Sequence, residues 1–398
     1  MKIILVADTF PPLRTSGAVQ LRDLSRELDY QGHELTICLP STDIKNLWKY
    51  EIVDGIEILR LKAPRTKDLN YFLRTINEFL MPFAMIRGFK KSPLSKNKWD
   101  GVVWYSPSIF HGPFIKMLKY NSSCKAYLIV RDIFPQWAVD MGLMGKGLPY
   151  KFFNAIAHYQ YSIADFIGVQ SPGNKVYFSK LKREPSQSLQ VLNNWLGESA
   201  KMSCSIRFSE TALANRKVIV YAGNMGIAQN MDTLINLAKL FEENEGIGFA
   251  FVGRGSDASR LKNKANSLEL NNVLFFDEIH PDEVHDLFTQ CHIGIVSLDA
   301  RHKSHNIPGK FLTYIQSGLP VIANINYGND LAKIIRDQKV GQVCENNSLD
   351  ELKHLTEKLI NQIESDDGYY RRCIDLFERD FSARKAVNQI IKTFKNEV

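Results

Sequence analysis

The sequence predicts an α/β protein made of two doubly wound parallel sheets, and three observations carry that expectation. Short apolar strand patterns alternate with helix patterns along the whole 398-residue chain. Polar or glycine-bearing loops follow the strands directly, at the edge where open α/β sheets hold ligands. A small polar stretch, residues 197–215, interrupts the alternation and reads as an interdomain connection. The expected division is an N-terminal domain 1–196, a linker 197–215, a C-terminal domain 216–379 and a final helical segment 380–398.

Taken in order, Lys2 to Ala7 is a buried strand, and the loop DTFPPLRTSGA leads into a helix with Leu21, Leu24 and Leu28 on one face. Gly17 at that helix start lets a ligand approach the backbone, or serves as a plain turn glycine. Gly32 ends the helix; Glu34 to Leu39 and Ile56 to Leu61 are strands. Asn70 to Lys91 is an amphipathic helix that mixes Tyr71, Phe72, Phe79, Leu80 and Phe83 with Arg74, Arg87, Lys90 and Lys91, and Pro82 is expected to kink it. Such a stripe is either core or a membrane-interface surface.

Gly101 to Tyr105 and Ala126 to Val130 are strands whose carboxyl ends offer Ser106, Ser108 and His111, and Arg131 with Asp132. A charged pair directly after an apolar strand is the stronger candidate, and a lone His near a helix start is more often structural. A helix from Tyr150 to Ile163 and strands Phe166 to Gln170 and Leu189 to Leu192 follow, the last ending in Asn193-Asn194-Trp195.

The second domain opens with strand Val218 to Tyr221, the loop AGNMGIAQN and helix Met231 to Glu242. Gly223, Asn224, Gly226 and Gln229 sit in that loop, where free backbone NH groups suit a diphosphate; the Lys-Ser/Thr ending of an ATP-hydrolysing P-loop is missing. Strand Gly248 to Val252 precedes Gly253-Arg254-Gly255-Ser256-Asp257-Ala258, a formal G-x-G-x-x-A dinucleotide fingerprint with Asp277 about 20 residues on. Its place on the domain's second strand, and Arg254 inside it, weigh against a nicotinamide cofactor.

Strand Val273 to Phe276 and helix Pro281 to Gln290 lead to the stretch CHIGIVSLDARHKSHNIPGKFLTYIQSGLPVIAN. It reads as strand, basic loop, helix from Pro308, and strand Leu319 to Ala323. The loop's Arg301, His302, Lys303, His305 and Lys310 and the helix N-terminus beside Asn306, Pro308 and Gly309 suit an anion, most simply a phosphate. Helices over 328–337 and 349–364, and one from Phe381 to Phe394, complete the chain.

Composition bounds the function. Six scattered cysteines with no CxxC pair suggest a reduced, zinc-free protein. No signal-type N-terminus and no apolar run of roughly 18 residues occur, so the expectation is a protein neither secreted nor membrane-spanning. Residues 1–190 hold 26 Lys and Arg against 16 Asp and Glu, whereas the remainder holds 24 against 27. A basic first half suits an anionic membrane surface; no nucleic-acid motif is present. There is no Asp-x-Asp and no metal-spaced cluster, so Arg254, Lys303 and Lys310 are the donors expected to stabilise a departing diphosphate.

Assembled, ILVADTFPPLRTSGA, NNW, YAGNMG, FVGRG and PGKFLTYIQSGLPVIAN resemble the family-4 retaining glycosyltransferases over nearly the whole chain. VRDIFPQWAVD and GNMGIAQNMD look most like the bacterial L-N-acetylfucosamine transferases of O-antigen assembly. The resemblance implies the GT-B fold: two facing Rossmann-like doubly wound domains, the C-terminal one for the nucleotide sugar and the N-terminal one for the acceptor, with the last helix crossing back to the first. It places Gly17 near the donor diphosphate and Arg131-Asp132 near the position of a catalytic His in relatives. Asn224, Gln229, Arg254 and Lys310 would face the donor.

Two departures stand out. Asn224 and Gln229 occupy about the places of an Arg and a Lys, and the family's Glu-x7-Glu pair falls on His305 and Thr313. The implied activity is metal-independent transfer of N-acetyl-L-fucosamine from its UDP donor, with no cofactor. The acceptor is an undecaprenyl-diphosphate-linked saccharide at the inner face of the cytoplasmic membrane. A GT-B nucleotide-sugar 2-epimerase and a nucleotide-sugar-binding protein without catalysis remain the alternatives.

Overall fold

In β1 (Lys2–Val6) the alternation of the apolar run after Lys2 is visible residue by residue: Ile3 and Leu5 enter one hydrophobic cluster, Ile4 and Val6 another. A strand buried on both faces belongs in the middle of a parallel sheet. The computed structural model describes residues 1–13, 15–179, 187–199, 202–226, 229–299 and 307–395. They form two units, Met1–Gly197 with Ala383–Val398, and Glu198–Ser382.

The first unit adds β2 (Glu34–Ser41), β3 (Trp48–Val53), β4 (Ile56–Lys62), β5 (Gly101–Tyr105), β6 (Lys125–Val130), β7 (Phe166–Val169) and β8 (Ser188–Val191). The sheet order is β3-β4-β2-β1-β5-β6-β7-β8, parallel except for β3 against β4. The direction of winding reverses between β1 and β5, so their carboxyl ends form the unit's ligand crevice.

Helix α1 (Ser16–Tyr30) starts where the Thr15 side chain accepts from the Ala18 N–H at 3.3 Å, and buries Leu21, Leu24 and Leu28. The NNW motif is tied beneath it: fully buried Trp195 donates its indole N–H to the Gln20 carbonyl at 2.8 Å. Helices α2 (Tyr71–Lys90), α3 (Gly112–Ser122), the short α4 (Gln136–Asp140) and α5 (Leu148–Ile163) follow. Met81, Met85 and Phe89 of α2 share one core cluster with Phe114 and Leu118 of α3 and Ala157 of α5.

The second unit is a six-stranded parallel sheet in the order β11-β10-β9-β12-β13-β14. Its strands are β9 (Lys217–Ala222), β10 (Ile247–Val252), β11 (Val273–Phe276), β12 (Ile293–Ser297), β13 (Val321–Asn324) and β14 (Gly341–Cys344). Here winding reverses between β9 and β12. Helices α6 (Met231–Lys239), α7 (Ala258–Ser267), α8 (Val284–Thr289), α9 (Gly309–Gln316), α10 (Asp330–Gln338), α11 (Leu349–Ser365) and α12 (Gly368–Leu376) cover it. The last helix, α13 (Ala383–Phe394), belongs to the first unit, where Ala386, Val387, Ile390 and Ile391 share a cluster with Leu21 and Leu24.

Three elements differ from the sequence pattern. The WKYEIV segment of β3 looks polar because it pairs only on the sheet edge, antiparallel to β4, and needs no second buried face. The helix expected over 281–290 opens as a 3-10 turn, Pro281–Glu283, capped by His280, and only then becomes α8. Residues 202–215 are held along α8: the Cys204 N–H donates to Asp286 at 2.7 Å, and the Phe208 N–H to Gln290 at 3.1 Å.

Candidate active site

In the second unit the site is assembled at the carboxyl ends of β9, β10 and β12. The β9–α6 and β10–α7 loops are joined by main chain: the Met225 N–H donates to the Arg254 carbonyl at 2.8 Å, and the Asp257 N–H to the Met225 carbonyl at 3.0 Å. That contact explains the dinucleotide-like fingerprint. A Cβ on Gly253 would lie 2.2 Å from the Gly223 carbonyl oxygen, and one on Gly255 lies 2.1 Å from that of Met225. Both glycines are required by loop against loop, before any ligand is considered.

Lys310, in the first turn of α9, stands over the Tyr221 ring at 4.9 Å, and a Cβ on Gly223 would meet its Cε at 2.9 Å. No carboxylate among the described residues pairs with it. Burial pushes its ammonium down to about 8. A desolvated, unpaired cation next to a glycine loop and a helix N-terminus is arranged to receive an anion. Tyr221 in turn donates its hydroxyl to the Asn224 carbonyl at 2.6 Å, fixing the loop that follows.

Asn224 and Gln229 are engaged with each other: the Gln229 Oε1 accepts from the Asn224 amide at 3.3 Å and from the Gly226 N–H at 3.1 Å. Arg254 is 75% exposed and pairs with Glu278 at 3.1 Å, so it serves an incoming ligand only by leaving that partner. Pro308 caps α9 in an extended conformation, with Gly309 exposed at the first helical position. Thr313 donates its hydroxyl back to the Gly309 carbonyl at 3.1 Å. Lys303, His305 and Asn306, like Arg301 and His302, lie outside the described residues.

In the first unit Arg131 and Gly17 are brought together. A Cβ on Gly17 would lie 3.1 Å from Arg131 Nη1, which donates to the Tyr105 hydroxyl at 2.9 Å and to Gln20 at 3.2 Å, while Nη2 reaches Ser16 at 3.0 Å. Arg131 therefore locks the start of α1 onto the end of β6. Beside it, burial holds the Asp132 carboxyl above the usual range, with Arg131 opposing.

His111 stands immediately before α3, at its N-cap. It is 0% exposed, and its Nε2 lies 2.6 Å from Asp8 Oδ1, so it positions Asp8. Asp8 had the same signal as Asp132, a carboxylate just past a buried strand, and sequence reasoning passed over it. Glu78 of α2 lies within electrostatic reach of Asp8: desolvation raises its carboxyl, Asp8 adds to that, and Arg74, at 2.8 Å, opposes it.

Two parallel Rossmann-like units, each with its candidate residues at the switch point of its sheet, define the GT-B class of fold. Residues 204–375 match the family model of the glycosyl transferases group 1. The probable glycosyltransferase WbjE of Pseudomonas aeruginosa is 23% identical over 250 residues, 61% of this chain and 62% of that one, so the match spans less than two thirds of that relative. The putative colanic acid biosynthesis glycosyl transferase WcaI of Escherichia coli K12 is 23% identical over 365 residues, 87% of this chain and 86% of that one. Among solved structures, HepE of Anabaena in complex with UDP and glucose superposes with a TM-score of 0.68 at 12% identity, covering both chains fully (100% of each).

The state of Lys310 sets a pH dependence. Its charge is present below about 8 and lost as pH rises through that value. Affinity of the unliganded protein for a nucleoside diphosphate is expected to be flat from pH 6.5 to 7.5. It should then fall up to about tenfold per pH unit above 8, until the ligand's own pull on the proton flattens it. Titration calorimetry with UDP across pH 6.5 to 9.5 measures it, and an unchanged affinity at pH 9.5 would remove Lys310 from the phosphate site.

Proposed function

We propose that the protein is a retaining, metal-independent glycosyltransferase. It moves an amino-deoxyhexose, N-acetyl-L-fucosamine from its UDP donor, onto a lipid-diphosphate-linked saccharide in O-antigen or capsule assembly at the inner face of the cytoplasmic membrane. The observation that carries this reading is Lys310, a half-buried cation with no counter-ion among the described residues, beside the Gly223 loop at a switch point. The group 1 match over residues 204–375 and the UDP held by HepE support the donor class. The resemblance of VRDIFPQWAVD to fucosaminyl transferases supports the sugar.

In the proposed reaction an acceptor hydroxyl forms its bond to the donor's anomeric carbon on the face from which the diphosphate leaves. The bond from that carbon to the diphosphate oxygen breaks, and the hydroxyl proton passes to the departing phosphate oxygen. Lys310 and the backbone N–H groups near Gly223 and Gly309 stabilise the charge that develops there. Asp132, and Asp8 held by His111, orient sugar or acceptor hydroxyls from the first unit.

The test is product formation from UDP-N-acetyl-L-fucosamine and a lipid-diphosphate-linked saccharide in EDTA, followed by chromatography and anomeric coupling constants. Asp132→Ala is expected to lower turnover on the order of 10²-fold, with donor affinity little changed. Full turnover in that variant would remove Asp132 from the site. An epimer formed from donor alone would favour the 2-epimerase. The Thr313 hydroxyl turned back onto its own helix keeps a second reading open, a nucleotide-sugar-binding protein, which predicts donor binding without product.

A further inference from the structure

Helix α2 is apolar on two sides, and only one of them is covered by the unit it belongs to. Met81, Met85 and Phe89 recur at i, i+4, i+8 and are buried against α3 and the sheet. Phe72, Ile76, Phe79, Leu80 and Phe83 fall at i, i+4, i+7, i+8, i+11, an arc of roughly 100° on the opposite side. They are exposed, Phe72 to 75%, with Tyr71 beside them at 89%. A helix that is apolar all round is buried on all sides or meets a second apolar phase.

The same outer arc continues past Phe83 to Arg87 and Lys90, both exposed and both without an ion-pair partner among the described residues. The only carboxylate on α2, Glu78, faces the other way and is bound by Arg74. A second copy of this chain laid on the helix would bury those cations with no α2 carboxylate to receive them. Anionic head groups supply that charge, and phenylalanine and tyrosine side chains suit the level just beneath them.

We propose that the outer face of α2 is a lipid-docking surface, with the aromatic residues from Phe72 to Phe83 entering an anionic bilayer and Arg87 and Lys90 meeting its head groups. This deepens the reading above, since a saccharide carried on a lipid diphosphate is met at the bilayer surface. No described helix is long and apolar enough to cross a membrane, so the contact is in the plane of the interface.

The test is co-sedimentation of the whole protein with vesicles of phosphatidylglycerol and phosphatidylethanolamine, against phosphatidylcholine alone. The wild type is expected to sediment with the anionic vesicles and to be released by salt. The triple variant Phe72→Ser, Phe79→Ser, Leu80→Ser should lose at least tenfold in partitioning while keeping its melting temperature and its UDP binding. The double variant Arg87→Gln, Lys90→Gln should lose the preference for anionic lipid.

Wild-type protein that stays in the supernatant, or a triple variant that sediments like wild type, overturns the proposal. So does a wild-type dimer in light scattering that the triple variant converts to monomer. Because sedimentation needs neither donor nor acceptor, its failure leaves the transferase reading standing, and a failure of transfer leaves this surface standing.

Discussion

Lys310→Met is expected to lower transfer about 10²- to 10³-fold and at the same time to raise the melting temperature. The loss follows from removing the cation that would meet charge developing on a departing diphosphate, in a site where burial strengthens every such contact. The gain follows from the same burial. A lysine ordinarily titrates near 10.5 and here is pushed down to about 8, so keeping it charged in the folded protein opposes folding at neutral pH.

An unbranched apolar side chain of similar length removes that penalty, on the order of 1–3 kcal/mol after allowing for partial solvent access. The linkage has a sign that can be checked. Between about pH 8 and 10.5 the unfolded chain holds a proton that the folded one has released, so wild-type stability rises with pH across that window. The Met variant should lack that rise. A variant that is both less active and less stable would mean that Lys310 is held for packing.

Gly253→Ala is expected to destabilise the second unit by about 3 kcal/mol or more. Gly253 has φ +138°, where a side chain is strained, and the added Cβ would press on the Gly223 carbonyl at 2.2 Å, backbone that cannot swing aside. The melting transition should fall by roughly 2–4 °C for each kcal/mol. Gly309→Ala is the control: a Cβ there meets nothing within 4 Å, so its melting temperature should stay at the wild-type value. If Gly253→Ala melts with the wild type, the two loops are not joined as described.

Much of the architecture was legible because two-faced burial writes itself into the chain. After a leading lysine in β1, β6 and β9, the residues of β1, β5, β6 and β9 are apolar, and the loops after them stand out by contrast. β3 was not legible, since an edge strand buries one face at most. Lys310 and Gly223 in the second unit, and the Arg131-Asp132 pair in the first, were singled out from their place after strands. What one sequence does not carry is direction. The burial of His111 against Asp8, the closure of Gly253 on Gly223 and the support of Lys310 by Tyr221 each join residues far apart in the chain.

The same limit applies to α2. Its composition allowed core or interface, and only the packing of Met81, Met85 and Phe89 shows which face the protein uses for itself. The mutual bonding of Asn224 and Gln229 likewise engages two amides that the resemblance alone would leave facing a donor.

The most direct test of the central claim, that the Lys310 and Gly223 loops hold the diphosphate of a nucleotide sugar, is calorimetric titration of the wild type with UDP and with uridine at pH 7 in EDTA. Saturable binding of UDP, at least tenfold weaker in Lys310→Met and absent with uridine, is the expected result. No binding of UDP, or equal binding by wild type and Lys310→Met, would contradict it.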